Sequence, residues 1–87
     1  MIITVVRSGG FAGLVTERTL DTAGAADREA VEERVRRIDL AGVPANQPQP
    51  DRYVYRIQVS GEQETRVAEQ DLSGDLAWLV DRVLAES

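Results

Sequence analysis

The chain contains no cysteine, no histidine and no lysine, so its ten basic residues are all arginine, set against fifteen carboxylates. Without cysteine there is neither a disulfide framework nor a thiolate metal site, and stability has to come from packing and hydrogen bonding. The missing histidine, cysteine and lysine are the side chains that most often serve as general bases near neutral pH, as activated nucleophiles or as transition-metal ligands. An enzyme built on this chain would work with carboxylates, hydroxyls and arginine alone. No apolar run approaches the ~20 residues that span a bilayer. The start, "MIITVVRSGG", lacks the basic, apolar and small-residue succession of a secretory signal. These absences lead us to expect a cytoplasmic protein with no membrane partner. A net charge of −5 repels phosphate backbones and anionic lipid, which argues against a nucleic-acid partner.

At 87 residues, with 43% apolar and 29% charged content, the chain has enough apolar material for one core and too little for two. Residues 1–87 are therefore expected to form a single domain. Ile2 to Arg7 is short and β-branched, and Leu14 to Leu20, "LVTERTL", reads as an alternating partner strand. From Asp27 the spacing becomes helical. Ala30, Val31, Val35 and Ile38 supply the apolar stripe, Asp27 stands at the N-cap, and Gly42 closes the segment. Acidic residues come early and arginines late, as the helix dipole favours. Arg34, Arg36 and Arg37, mixed with Glu29, Glu32, Glu33 and Asp39, read as a solvated face.

All three prolines fall in "VPANQPQP", Val43 to Pro50, an extended connection. Beyond it Tyr53, Tyr55, Ile57 and Val59 alternate with polar neighbours in the clearest strand of the chain, and Ser60-Gly61 turns it into a partner spanning Glu62 to Ala68. A closing helix carries Leu76, Leu79, Val80, Val83 and Leu84 on one stripe, with Ser73 as N-cap, Leu72 stapled against Ala77 and Trp78 at the stripe's border. The order ββαββα gives an α+β fold, an antiparallel four-stranded sheet with helices packed on one face.

The connection between the first two strands, "RSGGFAG", is longer than a two-residue hairpin turn and holds three glycines. Its pattern, G-G-x-x-G followed by a strand, matches neither dinucleotide-binding nor P-loop spacing, and there is no lysine for a phosphate. Two readings stand for it. In the first, glycine simply supplies the backbone freedom of a hairpin connection, with Phe11 folding onto the core. Alternatively, Phe11 is an apolar anchor presented between small neighbours that let a partner's backbone approach. The acidic pairs Glu32 with Glu33, Glu62 with Glu64 and Asp71 with Asp75 read as surface charge, because none sits in a pocket-forming apolar frame.

Taken together, the short first strand running into "RSGGFAG", the acidic-and-arginine helix, the strand "PDRYVYRIQV" (Pro50 to Val59) after a proline-rich connection, and the closing "DL" helix resemble the emfourin, or protealysin inhibitor, family. The resemblance covers nearly the whole chain, and "RSGGFAG" is its most specific part. It implies a non-covalent inhibitor of thermolysin-like zinc metalloproteases that is not an enzyme and needs no cofactor. It also implies a contact role for Ser8, Gly9, Gly10, Phe11, Ala12 and Gly13. Thermolysin-like enzymes cleave before large apolar residues, so Phe11 is expected in the pocket on the primed side and Ser8 or a neighbouring carbonyl near the zinc. A non-inhibitory protein–protein interaction domain is the alternative.

Overall fold

The computed structural model describes residues 1–10, 13–44, 46–47, 49 and 52–86. Its elements follow the expected order: β1 Ile2–Gly9, β2 Thr16–Asp21, α1 Arg28–Arg37, β3 Tyr53–Val59, β4 Thr65–Ala68 and α2 Gly74–Leu84. Short 3-10 turns at Thr22–Gly24, Leu40–Gly42 and Glu69–Asp71 join them. The strands form one sheet in the order β2-β1-β3-β4, every neighbouring pair antiparallel. Two hairpins are thus placed side by side with β1 and β3 in the middle, and α1 carries the chain across from one to the other.

Alternation decides which face is covered. Ile3 and Val5 of β1 stand opposite Val59 and Ile57 of β3, Leu20 of β2 stands opposite Ile3, and Val67 of β4 opposite Tyr55. All of these are buried, and Val31 of α1 and Leu76, Leu79, Val80 and Val83 of α2 close over them. The helices share one face and α2 packs against α1, β1 and β2. This is the α+β arrangement that the sequence predicts. The opposite face carries Thr4, Glu17, Thr19, Arg56, Gln58 and Arg66, none of them buried.

Several local expectations give way to tertiary partners. The second strand begins at Thr16, not Leu14, because its ladder with β1 ends at the pair Arg7 and Thr16. The fourth strand begins at Thr65, since Val59 to Glu62 is taken up by a turn in which the Glu62 N–H donates to the Val59 carbonyl at 3.0 Å. Ser60 and Gly61 both have positive φ there, and Glu62 to Glu64 stand exposed ahead of the strand. In α1, Ala30 is exposed while Val35 and Ile38 pack on the core, and the helix ends at Arg37 instead of running on to Gly42. Gly42 closes the following 3-10 turn, where its N–H donates to the Asp39 carboxylate at 3.2 Å.

Charged side chains lock the helical layer. Asp27 occupies the N-cap position of α1, yet its carboxylate makes no cap bond. It accepts two bonds from the Arg82 guanidinium of α2, at 2.7 and 2.9 Å, because a charged fork outbids a neutral backbone N–H. Ser73 likewise sits at the N-cap of α2 without a side-chain bond. Glu32 is not free surface charge: its carboxylate accepts from the hydroxyl of buried Thr22 at 2.6 Å and pairs with Arg28. Arg36 and Arg37 do belong to a solvated face, pairing with Glu32 and Glu33. Arg34 departs from it. Its guanidinium lies 4.3 Å from the centre of the Trp78 ring and contacts Asp75 at 3.1 Å, which fixes α1 to α2.

Bonding to Arg82 holds the Asp27 carboxyl below its ordinary range, and the Thr22 hydroxyl does the same for Glu32. A carboxylate whose pKa is lower folded than unfolded stabilises the fold above the unfolded value, and that contribution disappears as pH falls through the folded value. The urea midpoint should therefore stay level from about pH 8 to about pH 6 and decline below about pH 4, where unfolded carboxylates take up protons. Asp27→Asn should have a lower midpoint at neutral pH and a shallower acid decline. A midpoint that rises on acidification would contradict this assignment.

Candidate functional site

The glycine-rich connection lies at the end of the sheet where β1 finishes and β3 begins. Ser8 and Gly9 are not loose: they extend β1 and pair with Val54 and Tyr53 of β3. Gly10 continues the attachment by donating its N–H to the Arg52 carbonyl at 3.1 Å. Further on, the Gly13 N–H donates to the Gly10 carbonyl at 3.3 Å, so the two glycines flanking residues 11 and 12 are hydrogen-bonded to each other. Phe11 and Ala12, the centre of the expected contact segment, lie outside the described residues. Of the six expected contact residues, Ser8, Gly9 and Gly10 thus line up against the start of β3, and Gly13 is tied back to Gly10.

Glycine is favoured at Gly9 and Gly10 by φ, and at Gly10 by space as well. Both have positive φ, +89° and +71°. A Cβ on Gly9 would stand 3.1 Å from the Arg52 carbonyl oxygen, and one on Gly10 only 2.6 Å from Cε1 of Tyr53. The backbone is laid directly on the edge of the Tyr53 ring. Only a residue without a side chain permits that approach.

Tyr53 is in turn held from three sides. The Arg7 guanidinium stacks 4.6 Å from its ring centre, the Tyr55 ring meets it edge-on at 6.3 Å, and its N–H donates to the Glu69 carboxylate at 3.2 Å. The other oxygen of Glu69 pairs with Arg52 at 2.8 Å. Those contacts, the Arg52 pair first, hold the Glu69 carboxyl below its ordinary range. Burial pushes the Tyr55 hydroxyl up, with Glu69 adding to the effect and Arg7 opposing it. One carboxylate thus gathers the two residues, Arg52 and Tyr53, against which the glycines rest.

The other limb of the connection is built differently. Past the last pair of the β1–β2 ladder, Leu14 and Val15 run ahead of the strand and are 68% and 67% exposed. From Ser8 to Thr16 there is no charged residue, in a chain where 29% are charged. The reading of Leu14 to Leu20 as one strand is thereby corrected at its start: alternation would place Leu14 on the Leu20 side, but there is no paired neighbour to hold it there. The consecutive pair Leu14-Val15 was itself the available signal, since two adjacent large apolar residues cannot both face the covered side of a sheet. Arg52 and Glu69 had no such signal, because their role arises only when distant segments meet.

No group of three or more His, Cys, Asp or Glu among the described residues could hold a metal ion. What the geometry offers is a tethered, uncharged, partly exposed backbone. No helix among the described residues is long and apolar enough to cross a membrane. A model of the Emfourin family matches residues 5–84, nearly the whole chain. No curated protein and no solved structure matches it.

Replacing Gly10 by alanine tests the tether. The left-handed conformation costs a residue with a Cβ about 1–2 kcal/mol, and the Tyr53 ring would also have to move. Gly10→Ala should lower stability in urea by at least that amount and shift the amide signals of Arg52 and Tyr53. Unchanged stability and spectra would show that the glycine is not held against the ring.

Proposed function

The chain belongs to the emfourin family of protease inhibitors, and on that premise we propose that it is a non-covalent inhibitor of thermolysin-like zinc metalloproteases. Residues 8–13 enter the active-site cleft of the enzyme. The family match over residues 5–84 carries the reading. The architecture of the connection supports it: one limb is fixed to β3 through Gly9 and Gly10, and the stretch that follows is uncharged and exposed at Gly13, Leu14 and Val15.

Inhibition of this kind has two requirements, occupancy of the cleft and resistance to cleavage. Phe11 supplies the large apolar side chain that such enzymes accept, and its small neighbours Gly10, Ala12 and Gly13 keep bulk out of the cleft. A segment restrained at Gly10 by Arg52, and at Gly13 by Gly10, loses less conformational freedom on binding than an unattached peptide. The same attachment opposes the movement that would carry a peptide bond into line with the attacking water. Ser8 or a neighbouring carbonyl approaches the metal, which belongs to the protease, and the inhibitor brings no metal of its own.

A panel of metalloproteases assayed with nanomolar protein tests the reading. Inhibition confined to thermolysin-like enzymes is the expected result; no inhibition of any of them would favour the non-inhibitory interaction domain. Burying one large apolar side chain is worth ~1.5–3 kcal/mol, so Phe11→Ala should raise the inhibition constant about ten- to hundredfold with thermal stability unchanged. After prolonged incubation with the enzyme, mass spectrometry should find residues 8–13 intact.

A further inference from the structure

We infer that Leu14 and Val15 form a second contact element that follows residues 8–13 into the same protease cleft and sets how tightly a given protease is held. The inference rests on the inhibitory reading above and adds to it a pair of residues that neither the glycine pattern nor the strand pattern marks as contacts. Three observations carry it. Among the described residues the large apolar side chains that are exposed are Ile2, Leu14 and Val15. Ile2 pairs with Asp21 at the far end of the β1–β2 ladder, whereas Leu14 and Val15 adjoin the glycine-bracketed segment directly.

The second observation is the ladder itself, which stops at Arg7 and Thr16 although β1 goes on to pair with β3 as far as Gly9. The strand that could have taken Leu14 and Val15 into the sheet is present and occupied on its other side only, so they diverge from it. The third is the lack of charge from Ser8 to Thr16, bounded by Arg7 and Glu17. A stretch exposed merely to water would be expected to share the charge that covers the rest of the chain; an uncharged stretch with two large aliphatic side chains suits a cleft that accepts a peptide and selects apolar side chains.

Self-association is the competing use of such a pair. Two side chains fall far short of the ~800 Å² per partner that a stable dimer buries. Their neighbours on β2, Glu17, Arg18 and Thr19, are exposed and polar and do not extend the patch. A cleft that envelops side chains individually gains from two of them where a flat interface gains little.

The test is the double substitution Leu14→Ala with Val15→Ala, with Leu14→Gln and Val15→Thr as a second, shape-preserving variant. With a thermolysin-like protease that the parent protein inhibits, both variants should raise the inhibition constant at least tenfold, mainly through faster dissociation, while the melting temperature stays at the parent's value. An inhibition constant within twofold of the parent's in both variants overturns the inference and leaves the inhibitory reading in place. A parent protein that inhibits none of the panel overturns both. A parent that sediments as a dimer while the double variant sediments as a monomer assigns the pair to self-association and likewise overturns the inference.

Discussion

The close approach of Gly9 and Gly10 to Arg52 and Tyr53 is the constraint on which this end of the molecule depends. It exists because β1 outruns β2: the ladder to β2 stops at Arg7, and the ladder to β3 goes on to Gly9. One limb of the connection is therefore part of the sheet and the other is not. A symmetric hairpin would have taken Leu14 and Val15 into pairing and left only a short turn. The asymmetry instead exposes them beside a backbone fixed by its hydrogen bond to Arg52.

Arginine as the sole basic residue suits the way charges are used here. Its planar guanidinium can stack on a ring and donate to a carboxylate at once, which lysine cannot do as well. Arg34 does both, lying on Trp78 and bonding to Asp75, and Arg82 bridges Asp27 and Glu86. Arg7 stacks on the ring that supports Gly10, and Arg52 shares Glu69 with the Tyr53 backbone. These four arginines thus stand at junctions between elements, and no charge falls among the nine residues between Arg7 and Glu17.

The fold was legible wherever a segment's own pattern determines its partner face. The alternation of Tyr53, Tyr55, Ile57 and Val59 and the stripe of Leu76, Leu79, Val80 and Val83 both lead directly to the observed core. Boundaries were less legible, because a strand ends where its neighbour stops pairing, and nothing within "LVTERTL" reveals that the ladder to β1 stops at Arg7 while the ladder from β1 to β3 goes on to Gly9. Capping failed for a related reason: Asp27 has the right type and position for a cap, but a guanidinium 55 residues later competes for it. At the site, the glycines announced a close approach without naming what they approach. Tyr53 and Glu69 become visible only once β3 and the turn after β4 are brought together.

The division into a fixed and a free limb bears on how a small domain can bind tightly with few contacts. Ordering a flexible side chain or segment at an interface costs roughly 0.5–1.5 kcal/mol for each rotamer-rich side chain, which offsets much of what its burial contributes. Here the backbone up to Gly10 is ordered before any partner arrives, by contacts whose cost is borne in folding. Only the part of a contact that this support holds escapes that cost; Leu14 and Val15, which lie beyond Gly13 and outside the ladder, do not share in it. The same logic explains why the support is assembled from Arg7, Arg52, Tyr53 and Glu69 and not from the connection itself: glycines cannot stiffen a backbone by their own preferences, and only neighbours that leave no room for alternatives can do so. The order of the backbone from Ser8 to Gly10 is consequently a property of the β1–β3 junction and not of the glycines themselves.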